Sequence, residues 1–190
     1  MIVGLGGYAF AGKDAVADVL EARHGWKRTF MSKPLMRALL ALDPLIPDGR
    51  GYIRFAELVE RVGYDRAKRN PEVRALLQRL GTEVGRNIIG ENVWTDVMAR
   101  DVAELSADGS SVAVTGIRYR NELDRIREMG GISVWVSRPG VVAVNGHTSE
   151  LTLDPADFDV ELRNDGTLAD LEVAVGALLA GLLTSPGVRR

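Results

Sequence analysis

The spacing of glycine and lysine near the start of the chain constrains the fold more than any other feature. Ile2 to Leu5 is a short apolar run, residues 6 to 13 read GGYAFAGK, and Asp14 to Arg23 carries Val16, Val19 and Leu20 on one helical face. An apolar run ended by glycines suits a strand buried on both faces, so the local order is strand, glycine-rich turn, helix. Within the turn the pattern is Gly7-x4-Gly12-Lys13. Glycine conformations there let successive backbone N–H groups converge at the positive end of a helix, where phosphate oxygens are favoured, and the lysine reaches the outer phosphates. Gly7, Ala9, Ala11, Gly12, Lys13, Asp14 and Ala15 are therefore the expected phosphate cradle. Asp14 stands where this pattern ordinarily has Ser or Thr. A carboxylate offers a hard cation a full negative charge, directly or through water, which makes Asp14 the candidate metal ligand. An acid in a first helical turn is also favoured by the helix dipole alone.

Composition limits what surrounds this turn. A chain of 190 residues with 46% hydrophobic content suits one domain, residues 1–190, with room for an insertion. The absence of cysteine excludes disulfides and thiolate metal sites. No basic segment followed by an apolar stretch opens the chain, so a cytoplasmic location is expected, the host cytoplasm if the chain is phage-encoded. The apolar stretch Val173 to Leu183 is about half of the roughly 20 residues a bilayer crossing needs and is expected to be a buried helix. A net charge of -2 and a basic stretch without interleaved aromatics speak against nucleic-acid and membrane partners. A homodimer is allowed, but not required, by the sequence.

Further strands are expected at Trp26–Met31, Ser111–Ile117, Ile132–Arg138 and Val160–Leu162. Helices are expected at Lys33–Leu42, Asn121–Met129 and Leu168–Leu183. Strands alternating with helices imply a parallel sheet covered on both faces. Residues 43 to 53, with Pro44, Pro47, Gly49 and Gly51, read as a loop. From Arg54 to Leu105 the pattern is helical, broken near Gly63, Asn70-Pro71 and Gly90, and an insert is expected at about 43–105. Residues 50 to 86 carry eight arginines and Lys68 against Glu57, Glu60, Asp65, Glu72 and Glu83, a net +4. That stretch is an anion-facing surface or a solvated helix exterior. Gln78, Gly81, Thr82 and Gly85 share a helical face of small and polar residues, which suits either a ligand or tight helix packing.

Arg118 and Arg120 follow a central strand, where ligands of open α/β sheets collect, and a guanidinium there can stabilise a transferring phosphoryl group. Arg120, Asn121 and Glu122 also suit the start of the next helix. Arg138-Pro139 ends another strand and leads into a lid-like loop at about 139–156 containing His147 and Glu150. Phosphoryl transfer to an existing phosphate needs no strong base, so loop structure or substrate contact fits these two better than acid–base work.

Taken together, GYAFAGKD at 7–14, FMSKPL at 30–35, LQRLGTEVGR at 77–86, ENVW at 91–94, RYRNE at 118–122 and HTSE at 147–150 resemble, in order, the bacteriophage-type deoxynucleoside monophosphate kinases. These are a family within the P-loop kinases, and the match runs over most of the chain. The resemblance implies a three-layer α/β P-loop NTPase fold of adenylate-kinase type, with a five-stranded parallel sheet and a helical insert that binds the nucleoside monophosphate (NMP). It implies the cofactors ATP and Mg²⁺, and small-molecule partners only: ATP and a deoxynucleoside monophosphate (dNMP), giving ADP and dNDP. Lys13, Arg118 and Arg138 are then the catalytic candidates. Lys33, Arg37, Arg74, Gln78, Arg86, Trp94 and Glu150 are the substrate-binding candidates, Trp94 by stacking on a base or, equally, as ordinary core. Members of this family usually carry an acid at the strand end occupied here by Gly116. Two alternatives stay open: a P-loop kinase for another small molecule such as dephospho-coenzyme A, and a nucleotide-binding module without turnover.

Overall fold

A computed structural model describes residues 1–49, 51–142 and 153–184. Its elements begin with β1 (Ile2–Gly6), α1 (Lys13–His24), β2 (Lys27–Phe30) and α2 (Lys33–Leu42). They continue with β3 (Leu45–Pro47), β4 (Tyr52–Arg54), α3 (Phe55–Val62), α4 (Tyr64–Ala67), α5 (Pro71–Gln78), a π-helix at Arg79–Ile89 and α6 (Val93–Leu105). The last are β5 (Val112–Ile117), α7 (Arg120–Glu128), β6 (Ile132–Ser137), β7 (Val160–Arg163) and α8 (Leu168–Thr184). Two compact units are formed, Met1–Met31 with Ala99–Arg190, and Ser32–Met98.

In the first unit β1 is the middle strand of a five-stranded sheet of order β2-β5-β1-β6-β7, in which every pairing is parallel. Val3 and Leu5 point to one face, where Val16, Val19 and Leu20 of α1 and Leu171, Val175 and Leu182 of α8 close the core. Strand side chains alternate, so Gly4 faces the other way. There a β-carbon would lie 2.9 Å from Ile126 of α7, which shows how tightly that helix covers the second face. Helices on both faces of a parallel sheet make the expected three-layer α/β architecture.

The second unit has its own core of Leu39, Ile46, Ile53, Phe55, Leu58, Ala67 and Val73. The helix breaks fall where expected. α3 ends before Gly63, the Asn70 side chain accepts from the N–H groups of Glu72 and Val73 to start α5 with Pro71 in its first turn, and the π-helix ends at Gly90. The stretch at 43–53 is not the loop expected. It folds as an antiparallel β3–β4 hairpin whose paired Ile46 and Ile53 are buried, the prolines and glycines serving as edge and turn residues. This unit takes in α2 and stops at Met98, so its bounds differ from an insert at 43–105. Among the described residues no helix is long and apolar enough to cross a membrane.

Candidate active site

β1 delivers the glycine-rich turn to the carboxyl edge of the sheet. Phe10 and Gly12 take positive φ, 66° and 99°, which turns the backbone back toward α1. For Phe10, which is 82% exposed, that conformation costs about 1–2 kcal/mol. No side chain caps α1 at Gly12, and a helix N-terminus of this kind favours an anion. Lys13 Nζ donates to the carbonyl oxygens of Gly7 at 2.8 Å and Tyr8 at 2.7 Å. The loop thus holds its own lysine. Ala11 is buried in the core and Ala15 packs against it, while Ala9 is half-buried.

Gly7, Tyr8, Ala9 and Lys13 share a recess with Ile117, Arg118 and Trp135. The end of β5 reaches it through a bulge. Leu5 pairs with Thr115 but Gly6 pairs with Ile117, leaving Gly116 out of register at φ 84°. Glycine takes that conformation without strain, and the extra residue redirects the chain that follows. Thr115 and Gly116 therefore bring no carboxylate, and what the strand end presents is Arg118. Glu122, buried, fixes this segment: its Oε2 accepts the N–H of Arg118 at 2.8 Å and of Tyr119 at 3.2 Å. The helix-starting role expected of Glu122 and the presentation of Arg118 are one arrangement. The Tyr8 ring meets Trp135 edge-on at 5.1 Å, and Trp135 meets Phe158 at 5.2 Å, so an aromatic row holds the near side of the turn.

Asn164, just beyond β7, touches the turn from the other side. Its Nδ2 donates to the Ala11 carbonyl at 2.9 Å. No phosphate-loop pattern points to it; its one sequence signal is an amide side chain at the carboxyl end of an outer strand.

Asp14 is exposed in the first turn of α1, 3.7 Å from Arg28 Nη2, and Arg28 also pairs with Asp18. Among the described residues no three His, Cys, Asp or Glu side chains gather into a metal-binding group. One exposed carboxylate beside a phosphate-type turn fits an ion that keeps waters and arrives on a polyphosphate, as Mg²⁺ does, rather than one in a protein cage.

Arg138 follows β6, exposed, and does not line the recess with Arg118. The second unit holds Lys33 at the first position of α2, Arg37 one turn on, Arg74 and Gln78 four apart on α5, and Arg86 on the π-helix. Arg74 joins Lys68 and Arg69 in a cleft with Asp65 and Leu77; Lys68 and Arg69 belong to the basic stretch at 50–86 but stand outside the substrate-binding candidates. Of the two readings of Trp94, its surroundings support packing. It is buried, its Nε1 donates to the Gly81 carbonyl at 2.9 Å, and a β-carbon on Gly85 would come within 2.1 Å of that nitrogen. Gly81 and Gly85 are thus the packing half of the small-residue face, while Gln78 and Thr82 are exposed. Glu150 and His147, like most of the lid-like loop, lie outside the described residues.

The model of the family described as deoxynucleotide monophosphate kinase matches residues 52–175. A putative deoxynucleotide monophosphate kinase of Acanthamoeba polyphaga mimivirus is 26% identical over 188 residues, covering 90% of this chain and 91% of the relative. The deoxynucleotide monophosphate kinase of Enterobacteria phage T4 is 33% identical over 100 residues, which cover 52% of this chain and 42% of the relative. Among solved structures, a dephospho-CoA kinase from Campylobacter jejuni superposes with a TM-score of 0.52 over 95% of this chain and 96% of that one. At 12% identity that likeness concerns the fold alone.

Proposed function

The chain belongs to the deoxynucleotide monophosphate kinase family, and from that premise we propose that it transfers the γ-phosphoryl group of ATP to a deoxynucleoside monophosphate. The observation that carries this is the shared recess of the Gly7–Lys13 turn and Arg118 at the carboxyl edge of a parallel sheet, where such sheets take ligands. An oxygen of the dNMP phosphate forms the new P–O bond as the bond to the bridging oxygen of ADP breaks, leaving dNDP and ADP. The attacking oxygen is already anionic near neutral pH, so no general base is required.

Catalysis in this scheme is positioning and charge compensation. Backbone N–H groups of residues 8 to 13 hold the triphosphate. Lys13 exchanges its contacts with the Gly7 and Tyr8 carbonyls for phosphate oxygens. Arg118, and Arg138 at the next strand end, offset charge on the transferred group. Bound Mg²⁺ would neutralise phosphate oxygens, with Asp14 holding it directly or through water. The second unit supplies the dNMP site, drawing on Lys33, Arg37, Arg74, Gln78 and Arg86, and the segment at 139–156 with Glu150 acts as a lid. The reaction belongs in the cytoplasm, where both nucleotides are soluble.

Purified protein with ATP and Mg²⁺ should form ADP and a diphosphate from at least one member of a dNMP panel. ADP formation with dephospho-coenzyme A instead would move the chain to the other substrate class. ATP binding without any diphosphate product would leave a binding module.

A further inference from the structure

We propose that Asn164 is a positioning residue of the phosphate cradle, acting through the Ala11 carbonyl to set the direction of the Gly12 N–H. The side chain is buried, and its Nδ2 donates to Ala11 O at 2.9 Å. Its own backbone N–H donates to Ser137 O at 2.8 Å, which ties it to the end of β6. In a planar trans peptide the C=O and N–H point to opposite sides. Holding the Ala11 oxygen toward Asn164 therefore aims the Gly12 N–H away from it, toward the anion that the turn would hold at the start of α1.

Gly12 is part of the same device. A β-carbon there would lie 2.2 Å from Asn164 Nδ2, so the amide reaches the turn because position 12 has no side chain. The glycine thus serves both its positive φ of 99° and the approach of Asn164. Only a donor suits the place. A carboxylate would set oxygen against oxygen and bring negative charge beside a polyphosphate, and an apolar side chain would leave the Ala11 carbonyl without this partner. The turn is consequently braced from β7 as well as from β1 and α1.

This inference rests on the Gly7–Lys13 turn binding ATP, and the test separates the two. Asn164→Ala and Asn164→Asp are made in the full chain, and ATP binding is measured by calorimetry without dNMP, well below each variant's melting temperature. KM values for ATP and dNMP are measured alongside. The expected result is a Kd for ATP raised about tenfold in Asn164→Ala and further in Asn164→Asp, with the KM for dNMP within about twofold of wild type. Asn164→Ser keeps a polar group at the buried position and takes the place of Asn164→Ala if that variant does not fold. Folded variants that bind ATP within about twofold of wild type would overturn the role, as would equal losses of ATP and dNMP affinity, the signature of a merely structural residue. A wild-type protein that binds no ATP would overturn the function of the turn itself.

Discussion

Lys13 Nζ lies 2.7 Å from the carbonyl oxygen of Tyr8, five residues back along the turn that the same lysine closes. A long cationic side chain is thereby ordered by two backbone acceptors, Gly7 and Tyr8, and meets a phosphate with less entropy left to lose. Lys13→Met should lower kcat by about 100-fold or more, the scale of removing one preorganised charge donor. It should also abolish the rise in melting temperature on adding ATP. A variant that turns over near the wild-type rate would remove Lys13 from the catalytic group.

Glu122 holds the backbone of Arg118, accepting its N–H at 2.8 Å. Glu122→Ala should cost about 0.5–2 kcal/mol of stability through the lost helix cap. It should also lower kcat, because the segment presenting Arg118 loosens. In an Arg118→Ala background the same change should have little further effect on kcat, since the two act in series. Full additivity in that cycle would show that Glu122 contributes to folding alone.

Gly85 is the seat of Trp94. Gly85→Ala places a carbon inside the indole and should destabilise by about 1–3 kcal/mol, the usual cost of overpacking. Thermal unfolding, followed by tryptophan fluorescence, measures this. An unchanged melting temperature would mean that the indole moves aside freely.

Asp14 is the metal candidate on chemical grounds, and Arg28 beside it competes for its charge. Asp14→Asn should raise the Mg²⁺ concentration needed for half-maximal activity by about tenfold, while kcat at saturating Mg²⁺ changes less. An unaltered Mg²⁺ profile would assign Asp14 to the Arg28 pair and the helix terminus only.

Asp159 links β6, β7 and α7. Partial burial pushes its carboxyl pKa up, but the Ser133 hydroxyl and N–H and the Arg127 guanidinium outweigh that and hold it below the ordinary 3.8. A carboxyl depressed on folding stabilises the protein above its unfolded value, and that contribution is lost as pH falls through the folded one. The melting temperature should therefore drop below pH 3.8. Asp159→Asn should flatten that acid limb; the same slope in both proteins would place the acid sensitivity elsewhere.

Local features were legible in the chain itself. An apolar run, glycines at fixed spacing and an amphipathic helix specify strand, turn and helix through nearest-neighbour geometry, so the turn at Gly7–Lys13, the parallel sheet and the helix breaks at Gly63, Pro71 and Gly90 follow from sequence. The β3–β4 hairpin was hidden because prolines and glycines mark a hairpin turn and a structureless loop alike. The π-helix was hidden because residues four apart share a face in either kind of turn. Tertiary structure alone decided which polar groups brace the turn. Asn164 meets Ala11 across 153 positions of chain, and Gly116 becomes a bulge through its pairing with β1. Spacing in sequence carries no record of such contacts, because they exist only once the parallel strands have set their carboxyl ends side by side.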